Sequence, residues 1–249
     1  MDRLIFTAVS GLNGSMVRQR VIASNLANAQ TIGFRAEQLQ FTPLTLKGSG
    51  LEARALNDGQ VRSASMEQGV LSQTANPLDV AIVGEALLAV QAADGSEAYT
   101  RRGDLTISPS GVLQNGEGLP VIGESGPITV PPGSEPSIGP DGAVLIQDPA
   151  TPDAPPTRID RLKLASPAGS RIEKGLDGLF RVVGGGVLPA DEAGQVTVGA
   201  LEQSNVNSSQ SLVDMIEAQR LFEMRTKLIA TAREIDEAGD TLMRLSSSQ

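Results

Sequence analysis

Near the start of the chain, Ile5, Val9, Leu12, Met16, Ala23 and Leu26 recur at alternating steps of four and three, with Gln19 filling the one polar gap. That period places them on one helix face, as a narrow seam of the coiled-coil kind. Asp2 supplies the negative group that favours a helix N-terminus. The pattern predicts a helix to about residue 30, about 40 Å long at 1.5 Å per residue. Gly33 is placed to be its left-handed C′ residue, with Phe34 as the apolar contact that follows. At the other end, Leu221, Met224, Leu228, Thr231, Ile235, Ala238, Leu242 and Leu245 step 3-4-3-4-3-4-3. Asn207, with Gln210 three residues on, has the form of a capping box and opens this second helix.

Between the ends the period changes. Leu78, Val80 and Ile82 alternate with Asp79 and Ala81, and short apolar runs follow at 87–90, 105–107, 112–113, 121–122, 128–130, 144–146, 162–164, 179–183 and 196–198. Asn115-Gly116 suits a tight hairpin, and Pro140-Asp141-Gly142 presets a corner. Residues 101–200 hold 13 of the 15 prolines and 17 of the 27 glycines, the punctuation of many short antiparallel strands. The expected fold is therefore α+β: paired long N- and C-terminal helices, coiled-coil-like, around a mainly antiparallel β central body. The expected division is a terminal helical domain of residues 1–30 plus 208–249, connecting extended segments at 31–75 plus 185–207, and a β-rich outer domain at 76–184.

Composition narrows the chemistry. Aromatic residues make up 2% of the chain, so the core is aliphatic, and stacking platforms for single-stranded nucleic acid or sugar are scarce. The net charge of −9 would repel a phosphate backbone. Charge is uneven: residues 1–35 carry four arginines against Asp2, a net of +3, whereas residues 210–249 carry five basic and seven acidic residues, a net of −2. The chain holds no cysteine and no histidine, which removes disulfides, thiolate nucleophiles and the commonest general base and metal ligand. No cofactor, metal or catalytic residue is expected. No apolar run approaches the roughly 18 residues of a membrane span. The run at 4–12 follows Asp2 and leads into Arg18 and Arg20 without a small-residue cleavage site, so no cleaved signal is expected.

Other motifs have plainer readings. Asp191/Glu192 and Glu234/Asp236/Glu237 read as a turn and a solvated helix face. Arg102-Gly103-Asp104 spells an adhesion tripeptide, yet its place between Tyr99-Thr100 and Leu105-Thr106-Ile107 reads as a turn with wet charges. Gly184-Gly185-Gly186 lacks the Lys-Ser/Thr of a phosphate cradle. A β-domain enzyme or glycan binder, motivated by the acidic body, stands as the competing class.

Four segments carry a family resemblance. Ser24-Asn25-Leu26-Ala27-Asn28-Ala29-Gln30-Thr31-Ile32-Gly33-Phe34-Arg35 resembles the N-terminal motif of bacterial flagellar rod and hook proteins. Ser204-Asn205-Val206-Asn207, followed by Leu212-Val213-Asp214-Met215-Ile216-Glu217-Ala218-Gln219-Arg220, resembles their C-terminal motif. Asn76-Pro77-Leu78-Asp79-Val80-Ala81-Ile82 and Ala98-Tyr99-Thr100-Arg101-Arg102-Gly103-Asp104-Leu105 are similar to the start of their β domain. The family usually has aromatic residues after the first β segment's glycine; this chain has Gly84-Glu85-Ala86-Leu87-Leu88. The length and opening resemble proximal rod members most, distal rod members next, and are too short for the hook.

The resemblance implies a structural subunit that polymerises through its terminal helices and transmits torque around an export channel. Implied partners are copies of itself, other rod proteins and, during secretion, the flagellar export apparatus, with no nucleic acid and no membrane insertion. Its implied place is the rod in the periplasm, reached without a cleaved signal. The expected assembly interface is Ile5, Val9, Leu12, Met16, Asn25, Leu26, Asn28, Gly33, Phe34, Asn205, Asn207, Leu221, Met224, Leu228, Ile235 and Leu242. Capping alone is an equal reading of the four asparagines.

Overall fold

The computed structural model describes residues 2–45, 55–147 and 154–246. Part of the connecting segment expected at 31–75 and part of the β-rich domain expected at 76–184, residues 46–54 and 148–153, lie outside them. In chain order the elements are α1 (Asp2–Ala27), β1 (Glu37–Thr45), β2 (Ala55–Ala64), β3 (Leu71–Gln73), β4 (Val80–Ile82), β5 (Leu87–Gln91), β6 (Glu97–Thr100), β7 (Leu105–Ile107) and β8 (Leu113–Asn115). There follow β9 (Glu135–Ile138), β10 (Ala143–Gln147), β11 (Thr157–Arg161), β12 (Leu164–Ala165), β13 (Ile172–Lys174), β14 (Phe180–Val182), β15 (Val196–Val198), β16 (Ala200–Glu202) and α2 (Ser208–Ser246). They divide into two compact units, one of residues 1–27, 38–62 and 207–249, the other of residues 28–37 and 63–206.

The second unit is the β body. Its largest sheet runs β12-β5-β6-β14-β13, antiparallel throughout, beside a three-stranded β11-β10-β9 sheet and smaller pairs. Strand β5 shows why its sequence is continuously apolar. Successive side chains point to opposite faces: Leu88 and Val90 join one aliphatic core with Ile82, Leu105, Leu113 and Val144, while Leu87 and Ala89 join a second with Tyr99 and Phe180. The corner between β9 and β10 forms where Pro140-Asp141-Gly142 placed it. Gly142 adopts φ +80°, and Asp141 Oδ1 accepts the Ala143 N–H at 3.1 Å.

The helices correct the expected architecture. They are no matched pair of long helices zipped along a seam: α2 spans 39 residues and α1 only 26, ending before residue 30. None of the described seam residues is fully buried. Val9 and Met16 on α1 are half exposed, as are Met224 (59%), Leu228 (63%) and Ile235 (58%) on α2. Where the helices touch, Arg225 of α2 donates from Nη1 to the Gly11 carbonyl and the Ser15 hydroxyl of α1. Ser15 and Ile22, four and eleven residues beyond Gly11, are buried, as is Ala218, one heptad before Arg225. Each contact face is offset one residue from the expected seam, about 100° around the helix. The physical reason is local: the contact is made by glycine, serine and an arginine, which an apolar-stripe pattern passes over.

A buried ion joint as the candidate functional site

Three segments far apart in the chain meet inside the β body. Residues 28–37 lead away from the end of α1, Arg101 closes β6, and Glu202 closes β16 just before the approach to α2. Arg35, Arg101 and Glu202 are fully buried. Glu202 Oε1 lies 2.7 Å from Arg35 Nη2, and Oε2 accepts from Arg101 Nε at 2.9 Å and Nη2 at 2.5 Å. One carboxylate thus bridges two guanidiniums, with Oε1 also accepting the Gly69 N–H at 2.9 Å.

Arg101 uses all five donors. Beyond Glu202 it donates to the carbonyls of Ile82 (2.7 Å), Gly84 (2.9 Å) and Ala86 (2.6 Å). Those carbonyls lie at the end of β4 and on the Gly84-Glu85-Ala86 turn that follows, so a guanidinium organises that turn. Arg35 is held less completely. Its Nη1 donates to the Glu67 carbonyl, while Nε has no acceptor. Burial is the main influence on Arg35 and draws it down to about 10, against the opposing pull of Glu202. A buried charge removed from water is costly unless paired, so Glu202 is the residue on which this joint depends.

The motif residues fall on the same joint. Gly33 adopts φ +66°, and a Cβ there would sit 2.5 Å from the backbone of Arg101. Its N–H donates to the Glu202 carbonyl at 2.7 Å. Because α1 ends at Ala27, Gly33 is not the helix C′ residue expected; it permits a close approach of two backbones. Phe34 lies under the Lys174 ammonium, 3.4 Å from Nζ to ring centroid. Asn205 stitches rather than caps: Oδ1 accepts the Ala36 N–H at 2.7 Å, and Nδ2 donates to the Ser65 and Glu67 carbonyls at 3.3 and 2.8 Å. Asn28 Oδ1 accepts the Thr31 hydroxyl at 3.1 Å.

The other expected interface residues are not gathered here. Asn207 caps α2, its Oδ1 accepting the Gln210 N–H at 3.1 Å, but the Gln210 side chain turns to Asp214, so the reciprocal half of a capping box is absent. Leu12, Asn25, Leu26 and Leu221 are partly buried on the helices. The side chains of Ile5, Leu242 and Leu245 lie outside the described residues. The adhesion tripeptide is tied down instead of wet: Arg102 grips Asp104 at 2.7 and 2.9 Å and Glu117 at 3.2 Å, and Gly103 is buried against Val80. Sequence reasoning missed Glu202 and Lys174 altogether. Arg35 and Arg101 lay within the motifs, but nothing in their neighbourhood marked them as buried.

A β body that pins both approaches to its terminal helices on one dry ion cluster, and helices that carry exposed apolar stripes, define a structural subunit. Residues 5–35 match the family described as flagella basal body rod protein, residues 81–146 the flagellar hook protein FlgE/F/G D1 domain, and residues 197–242 the flagellar basal body rod FlgEFG protein C-terminal. Each matched segment supplies one member of the triad: Arg35, Arg101 and Glu202. The chain is 40% identical over 252 residues to the flagellar basal-body rod protein FlgF of Salmonella typhimurium, covering 99% of this chain and 100% of that one. It is 41% identical over 254 residues to FlgF of Escherichia coli, covering both completely, and 29% identical over 258 residues to FlgG of Bacillus subtilis, covering 94% and 97%. The chain belongs to the flagellar basal-body rod protein family and is a structural subunit of the rod, placed in the basal body with other rod and hook proteins. No described helix is long and apolar enough to cross a membrane.

Proposed function

We propose that this subunit enters the rod through the exposed stripes of α1 and α2, takes the FlgF place near the rod's base, and helps carry torque towards the hook. The observation that carries this is α2 itself. Leu212, Val213, Ile216, Met224, Leu228 and Ile235 are all at least half exposed on one helix. Burying one such side chain stabilises by about 1.5–3 kcal/mol, so neighbouring subunits that cover them gain a large driving force. Contacts of this heterologous kind propagate into an open helical assembly. The export apparatus is its transient partner before assembly.

The same reading makes the chain no enzyme. Several of the body's carboxylates are engaged in structure: Glu97 holds Lys163 at 2.7 and 2.8 Å, Asp177 holds Arg181, and Asp191 closes its own turn on the Ala193 N–H. The test is chemical crosslinking of Leu12→Cys and Leu228→Cys, each alone, in intact basal bodies. Adducts with a second copy or another rod protein are expected from both. Basal bodies in which neither position reaches a neighbour would reject this mode of assembly.

A further inference from the structure

Residues 31–37 continue the chain beyond α1 with little regular structure, and besides the Gly33 and Asn205 hydrogen bonds two charged clasps hold them to the body. The Arg35–Glu202–Arg101 clasp is built on guanidiniums, which stay charged up to about pH 9 even with Arg35 drawn down to about 10. The other is Lys174 at the end of β13, whose side chain is 2% exposed. Its ammonium donates to the Arg35 carbonyl at 3.0 Å, lies on the Phe34 ring and stands 3.7 Å from Glu37 Oε1. The charged groups around it are Glu37 and, beyond the Arg35 backbone, the Arg35–Glu202–Arg101 cluster. Three cations face two carboxylates, so positive charge is in excess within a dry site, and an ammonium there lacks most of the hydration it has in water.

We propose that the Lys174 clasp is a proton-coupled release for residues 31–37: opening hydrates the ammonium, so opening is favoured while the lysine is protonated and resisted once it is neutral. Burial draws Lys174 down from 10.5 to about 8, with Glu37 opposing. Between those two values the opened segment binds a proton that the closed one does not. The closed form therefore gains stability as pH rises from about 8 to about 10.5, by up to about tenfold per pH unit, and is insensitive below about 8. At neutral pH the clasp stands at its loosest, while the arginine–glutamate clasp is unchanged.

The chain has no cysteine, so Ile32→Cys introduces a single thiol in the segment. Its alkylation rate in the full chain is compared with the same thiol in a short peptide from about pH 6.5 to about pH 10, which cancels the thiol's own titration. Protection is expected to be flat below about pH 8 and then to rise towards tenfold per unit. Lys174→Met is expected to abolish the rise and to protect more at pH 7. An unchanged rise in Lys174→Met, or weaker protection at pH 7, overturns the proposal. A carbon-13 titration of the Lys174 ε-methylene in the unaltered chain needs no variant: a midpoint near 8 supports the release, and one at the ordinary 10.5 overturns it.

Discussion

The two units invert the usual arrangement in opposite ways. Inside the β body, charged side chains are buried: Arg35, Arg101, Glu202 and Lys174 are all withdrawn from solvent. On α2, large apolar side chains stand in water. The buried charges have partners in their own chain, so that region is complete. The exposed apolar residues have no cover among the described residues, and on the proposed reading neighbouring subunits supply it. Removing a side chain from the first should cost stability, and altering one in the second should cost assembly.

Glu202→Gln should produce the largest loss. It leaves two buried guanidiniums facing a neutral amide, and breaking such an arrangement costs about 3–5 kcal/mol. Urea unfolding of the purified chain reads this directly; a loss below about 1 kcal/mol would show that the joint does not hold the body together. Asn205→Ala removes three side-chain hydrogen bonds, to Ala36, Ser65 and Glu67, and strands the Ala36 N–H, an expected cost of about 1–3 kcal/mol. A smaller effect, about 1 kcal/mol, is expected for Asn207→Ala, which removes only the α2 cap. If Asn207→Ala proved costlier than Asn205→Ala, the division between joint and cap would be wrong.

Much of this was legible in the sequence, for a physical reason in each case. Strands such as Val80–Ile82 and Leu87–Gln91 announced themselves because burial on one or both faces demands apolar runs of period two or none. The start of α2 was readable because Asn207 is a local cap. The helix faces were not, because Gly11, Ser15 and Arg225 form a contact that carries no apolar signature, and the stripe that does carry one points outward. Glu37–Thr45 and Ala55–Ala64 form a two-stranded sheet where the sequence reads only as connecting extended segments. The site was half legible. The motifs located Arg35, Arg101 and Asn205, but a charged residue reads as solvent-exposed until its partner is known, and Glu202 meets Arg101 from 101 residues away.

The central claim is that the α2 stripe belongs to the assembly and not to the subunit. Leu228→Glu tests it most directly when two readouts are taken on one variant: unfolding free energy of the isolated chain and incorporation into rods. A surface change leaves stability within about 0.5 kcal/mol, so the expected result is an equally stable subunit that fails to build rods. A variant that loses several kcal/mol in isolation, or one that assembles normally, would contradict it.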